Sequence, residues 1–150
     1  MKRTIVHAVF IIAVVALGSL IGLLNIPGEW YQSLQKPFFN PPNWLFGPAW
    51  TTLYILIGEA GARTWISGRS SGRMKIWFVQ MGLNFLWSPA FFGLQSPLLG
   101  LVVILPLLIA ILTFIGTSWP VDRMAAWLFV PYALWVAFAT LLNLSIVVLN

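Results

Sequence analysis

Tryptophans, tyrosines and carboxamides are the side chains through which this chain could do chemistry. Gln80, Asn84, Trp87, Ser88 and Phe91 fall at i, i+4, i+7, i+8 and i+11, which is one face of a helix. Tyr132, Trp135, Ala139 and Asn143 repeat the arrangement further on, and Trp50 with Tyr54 adds a third aromatic pair at i, i+4. Flat rings offer stacking area to a planar apolar ligand, and amides offer hydrogen bonds. Ala139, the small position between a tryptophan and an amide, leaves space that a ring could fill. The tryptophans are also redox-active, so any reaction here would draw on the ligand or on light. For Asn84 two roles stay open, interhelical hydrogen-bond glue and ligand contact.

Other chemistry is excluded. There are no cysteines, hence no disulfide framework, thiolate metal site or cysteine nucleophile. A single histidine rules out a histidine-cluster metal site and a bis-histidine haem within one chain. Paired carboxylates, a nucleophile elbow and a phosphate-binding glycine loop are all missing from the sequence. No metal and no resident cofactor are expected. The formal charge of +5 does not point to nucleic acid, because the cations sit at segment ends.

The elements that must position these side chains are membrane helices. The 150 residues are 60% hydrophobic and only 7% charged, with mean hydropathy +0.92, against about 25% charged in soluble domains. A bilayer-spanning helix needs about 20 apolar residues. Five segments qualify: 5–26, 43–66, 74–94, 97–118 and 123–149. The expected fold is therefore an all-α integral membrane protein, one five-transmembrane-helix domain over residues 1–150. The first segment follows Lys2 and Arg3 but is too long for the apolar region of a signal peptide.

Alternation of five spans puts Lys2, Arg3, Arg63, Arg69, Arg73, Lys75 and Arg123 on one side and only Lys36 on the other. This asymmetry predicts a cytoplasmic N-terminus. The outward side then receives Lys36–Trp50, which holds four of the ten prolines, three phenylalanines, two tryptophans and one charge. Proline stiffens such a stretch, so it reads as a rigid aromatic lid leading into the second span. Asn43 is the expected cap of that helix.

Several smaller features carry expectations. Segment 97–118 is almost wholly aliphatic and reads as lipid-facing or as a subunit contact. On 74–94 the outward positions are Val79, Leu83, Leu86 and Ala90. Gly18-x-x-x-Gly22 and Gly58-x-x-x-Ala62 permit close helix approach, within one subunit or across a dimer seam. Glu59, the one carboxylate well inside a span, is expected to pair with Arg63 four residues on, with a proton relay as the alternative. His7 reads as interfacial and non-catalytic, and Glu29 and Asp122 as solvated.

Taken together, the motifs resemble the translocator protein / tryptophan-rich sensory protein family, formerly the peripheral benzodiazepine receptors. Trp30-Tyr31, Lys36-Pro37, Asn40-Pro41-Pro42, Trp50 and Leu53-Tyr54 are similar to its first loop and second helix. Asn84-Phe-Leu-Trp87-Ser88-Pro89-x-Phe91-Phe92 resembles its third-helix signature, and Pro131-Tyr132-x-x-Trp135-x-x-Phe138-Ala139-Thr140-x-x-Asn143 its fifth.

The resemblance implies a homodimer of five-helix protomers in a bilayer. It also implies an outward pocket, closed by the first loop, for porphyrins, sterols or synthetic ligands. Trp30, Tyr31 and Pro41 join the pocket on this ground. Some bacterial members are reported to degrade protoporphyrin IX in light, and Trp50 and Trp135 match the tryptophans tied to that activity. Tyr132 is followed by no cation, so the sterol pattern of animal members is incomplete. The expected role is a membrane receptor or sensor for tetrapyrroles, in a bacterial cell membrane. A porphyrin transporter and a light-dependent porphyrin-degrading enzyme are the alternatives.

Overall fold

In the computed structural model, which describes residues 2–150, the chain is helical almost throughout. Six α-helices follow one another: α1 (Lys2–Leu24), α2 (Glu29–Ser33), α3 (Phe46–Gly68), α4 (Gly72–Ser88), α5 (Pro97–Ser118) and α6 (Arg123–Leu149). α2 is a single short turn within the first loop, and the other five are long. By length and composition α1, α5 and α6 suffice to cross a membrane. α3 carries Glu59, Arg63 and several threonines and glycines, and α4 is 17 residues long.

Local signals set the helix starts. Ser71, Ser96 and Asp122 each accept a backbone N–H three residues on, from Met74, Leu99 and Ala125. These are side-chain N-caps, and Pro97 occupies the first turn of α5, where its missing N–H costs nothing. Asn43 does not cap α3. It lies inside a 3₁₀ turn, Asn43–Leu45, that runs into the helix, and no side-chain cap forms there. The two prolines before it already hold the chain extended.

Past Ser88 the helix widens into a π turn, Pro89–Gly93. Pro89 has no N–H to donate, and the chain closes five-residue bonds instead, Leu94 N–H to the Pro89 carbonyl (2.8 Å) and Ser96 N–H to that of Phe91 (3.1 Å). The wider winding shifts the faces. Ala90, expected outward, is buried beside Phe91, whereas Val79 and Leu86 are exposed as expected.

Close helix approach depends on glycine at particular positions. A Cβ on Gly58 would stand 2.7 Å from the Ile11 Cα of α1, and one on Gly18 2.4 Å from the Tyr54 ring of α3. One on Gly61 would meet Trp77 of α4 at 2.5 Å. Small residues thus let α1, α3 and α4 interlock, and dispersion between packed surfaces replaces the hydrophobic drive that lipid does not provide. Gly22 meets nothing within 4 Å. α5 is not merely a lipid-facing helix: Gly100, Ile104, Leu107, Ile111, Phe114 and Ser118 are buried, and Phe114 packs on Phe129 of α6 at 4.2 Å between ring centroids.

Ionic partners also differ from the local expectation. Glu59 bonds His7 of α1 rather than Arg63. Arg63 donates two hydrogen bonds, each 3.0 Å, to the two oxygens of Asp122. Four residues of helix advance by about 400°, so side chains at that spacing diverge by about 40°. Glu59 and Arg63 therefore reach different neighbours. Asp122 is not a free surface acid, since it both caps α6 and holds α3, whereas Glu29 is exposed.

Candidate functional site

α1, α3, α4, the π turn, α5, α6 and the first loop line a partly open cavity of about 640 Å³, inside the range of about 300–1,000 Å³ usual for small-molecule sites. Of the residues expected at a site, Tyr31, Trp50, Tyr54, Asn84, Trp87, Ser88, Phe91, Trp135, Ala139 and Asn143 line it. Trp30, Pro41 and Tyr132 do not. Trp30 packs on the outer side of Phe91, with ring centroids 5.8 Å apart, and Tyr132 is fully buried behind the wall.

The aromatic wall is built by three helices meeting. Trp50 and Trp135 face each other with ring centroids 6.5 Å apart and planes at 88°. Trp50 also lies 5.4 Å from Tyr54, and Phe46 sits 5.9 Å from Trp135. Also on the lining, Trp87 and Phe91 stack at 5.0 Å. The Trp135 indole nitrogen is buried and has no hydrogen-bond partner. Such an unpaired donor carries a desolvation cost.

The carboxamides are engaged within the protein. Asn84 donates to the Tyr132 hydroxyl (2.7 Å) and accepts from that of Tyr54 (3.3 Å). The Tyr132 hydroxyl in turn donates to Gln80 Oε1 at 2.8 Å. Asn143 accepts from Trp87 Nε1 (3.0 Å) and donates to the Pro97 carbonyl (2.7 Å). Asn84 and Asn143 thus tie α3, α4, α5 and α6 together. The glue reading of Asn84 describes these bonds, while the residue also lines the cavity.

The first loop folds over this wall in part. Tyr31 is buried against Phe92, 5.4 Å between ring centroids, with Lys36 Nζ 4.4 Å from its own ring centre. Burial pushes the Tyr31 hydroxyl above its ordinary pKa, and the Asn40 side chain partly opposes this. Asn40, Asn43, Phe46 and Gly47 line the cavity, whereas Phe38 and Trp44 point away from the protein. Asn150 clamps the loop to the end of α6, accepting from Gln35 N–H (3.1 Å) and donating to the Gln35 carbonyl (2.9 Å).

The α1 side of the cavity went unread in the sequence. Gly18, Ser19, Gly22, Leu23 and Asn25 supply it, and the only hint was a glycine spacing that fits ordinary packing equally well. Among the described residues no group of three or more histidines, carboxylates or cysteines could hold a metal.

Apolar helices, buried polar ties and an internal aromatic cavity define a polytopic integral membrane protein with room for a small apolar molecule. The chain matches the TspO/MBR family over residues 9–149. It is 46% identical over 144 residues to the tryptophan-rich protein TspO of Archaeoglobus fulgidus, covering 93% of this chain and 94% of that one. To protein CrtK of Rhodobacter capsulatus it is 40% identical over 149 residues, 95% and 91% of the two chains. To the translocator protein of Homo sapiens the identity is 34% over 136 residues, 85% and 80%. The chain belongs to the TspO/MBR family.

Proposed function

We propose that this protein is a membrane receptor or sensor that takes a planar hydrophobic ligand, a tetrapyrrole such as protoporphyrin IX, into the cavity beneath its first loop. The observation that carries the reading is the Trp50–Trp135 wall on the cavity, two large rings at 6.5 Å, one of them with a buried, unpartnered indole N–H. With the ring planes at 88°, a flat macrocycle stacks on one of these rings and meets the edge of the other, and its ring nitrogens or carboxylates accept hydrogen bonds. The names of the relatives, tryptophan-rich protein and translocator protein, fit a small-molecule role. Trp50 and Trp135 are the residues a light-driven reaction would use.

The reading includes a single domain of five membrane spans, α1 and α3 to α6, in a bacterial cell membrane with the N-terminus cytoplasmic. Cation distribution supports that orientation: Arg63, Arg73 and Arg123 gather near the N-terminal end of α1, away from the aromatic loop. It also includes a homodimer. Gly18 and Gly58 are occupied between α1 and α3, so they are not its seam, and Gly82, on an open face of α4, is free for one.

Protoporphyrin IX titrated into protein in sealed vesicles tests the function. Saturable quenching of tryptophan fluorescence without accumulation inside supports a receptor. Vectorial accumulation points to transport instead, and new absorption bands formed only under illumination point to turnover. Absence of saturable binding overturns the proposal.

A further inference from the structure

The end of the bundle away from the aromatic loop is strongly cationic. Lys2, Arg3, Arg69, Lys75 and Arg123 are all exposed. Two acids reach this end, and both are taken: Glu59 by His7, and Asp122 by the two-point contact with Arg63. Arg73 is buried and held by the Ser118 and Thr64 hydroxyls. Among the described residues, the five exposed cations have no carboxylate within ion-pair distance.

One of them stands on a built platform. The Arg123 guanidinium lies 4.7 Å from the ring centre of Trp119, and Trp119 lies 5.6 Å from Trp127. Both tryptophans are about half exposed, 40% and 55%. Tryptophans of membrane proteins are enriched at headgroup depth. A guanidinium over an aromatic ring keeps N–H groups that bind a phosphate in two-point fashion. No protein acceptor for Arg123 occurs among the described residues. Its sequence neighbour Asp122, the nearest candidate, is committed to Arg63 and to the cap of α6.

We propose that the α5–α6 turn is a binding site for an anionic phospholipid, with Arg123 taking the headgroup phosphate and Trp119 and Trp127 holding the glycerol region. A bare phosphodiester would satisfy Arg123 alone. The uncompensated charge of the whole face selects a lipid with net negative charge, because exposed cations near the surface attract anionic headgroups. Arg69 above Trp65, at 6.0 Å, is a looser pairing on the same face and the secondary contact. This site is independent of the cavity and of its ligand.

The test uses the full chain in nanodiscs of phosphatidylcholine, with and without phosphatidylglycerol. Melting temperature is measured, and native mass spectrometry reports retained lipid. Phosphatidylglycerol should raise the melting temperature of the unaltered protein and remain bound on release from the disc. Arg123→Gln should lose most of that rise while melting normally in phosphatidylcholine. Trp119→Leu, which keeps apolar bulk, should lose retained lipid as well. Lys75→Gln, which removes one charge of the face but leaves the Arg123 platform intact, should keep most of the rise and the retained lipid. An equal rise in Arg123→Gln, or the same rise produced by glycerol phosphate in phosphatidylcholine discs, overturns the site.

Discussion

Trp50 of α3 and Trp135 of α6 meet edge to face, with centroids 6.5 Å apart and planes at 88°, and the Trp135 indole nitrogen is buried without a partner. Trp135→Phe keeps a ring at this position and removes the unpaired donor. If a ligand acceptor completes that donor, protoporphyrin IX affinity should fall about tenfold, the scale of one net hydrogen bond. Ligand-free stability should hold or rise, because a desolvated orphan is gone. Fluorescence titration and a melting curve on the same sample decide it. Unchanged affinity with a lowered melting temperature would make Trp135 a packing residue only.

Ala139 lies one turn from Trp135 and one from Asn143, on the wall of the cavity. Ala139→Phe fills ligand space and should weaken porphyrin binding while the helices stay intact. In a closed core the same change typically costs about 1–3 kcal/mol. Retained affinity with a sharp loss of thermal stability therefore argues that this stretch of wall is closed in solution.

Arg63 and Asp122 join α3 to the start of α6. Burial raises the Asp122 carboxyl, but the Arg63 hydrogen bonds, the Ala125 N–H and the charges of Arg63 and Arg73 outweigh it, so the carboxyl lies below its usual range. A depressed carboxylate stabilises fully above its unfolded value, about 3.9, and that share is lost as pH falls through the folded value. Asp122→Asn keeps a good cap and should cost about 1 kcal/mol at neutral pH, a low figure because Arg63 is partly exposed. The variant should also lack part of the acid-sensitive loss seen in the unaltered protein. Parallel pH–melting curves for the two would remove Asp122 as the titrating group.

Gly58→Ala places a methyl 2.7 Å from the Ile11 backbone, where no side chain can swing aside. It should cost about 1–3 kcal/mol through displacement of α1. Gly116→Ala on α5, with nothing within 4 Å, is the matched control and should be close to neutral in detergent. Equal effects of the two would mean that helix propensity, not the α1–α3 contact, sets the response.

Orientation is testable at Gln35, an exposed residue of the first loop. A Gln35→Cys variant in intact cells should react with an impermeant thiol reagent from outside. Reaction only after the inner face is opened would reverse the assigned topology.

Periodicity and punctuation in the sequence were enough for the helices and for most of the aromatic stripes. α5 and α6 begin and end where expected, because Ser96, Pro97 and Asp122 are local signals that act within one turn. Trp50, Asn84, Trp87, Trp135, Ala139 and Asn143 were placed on shared stripes, since angular position on a helix follows from spacing alone. Partner choice was decided by the tertiary structure. Glu59 turned to His7, 52 residues away, and Arg63 to Asp122, 59 residues away, although their i, i+4 spacing favoured each other. The π turn at Pro89 moved Ala90 inward, the α1 glycines formed the unread wall, and Tyr132 withdrew behind the surface its stripe suggested. Spacing fixes the direction a side chain takes from its own helix axis, but which helix stands in that direction depends on how all the helices pack.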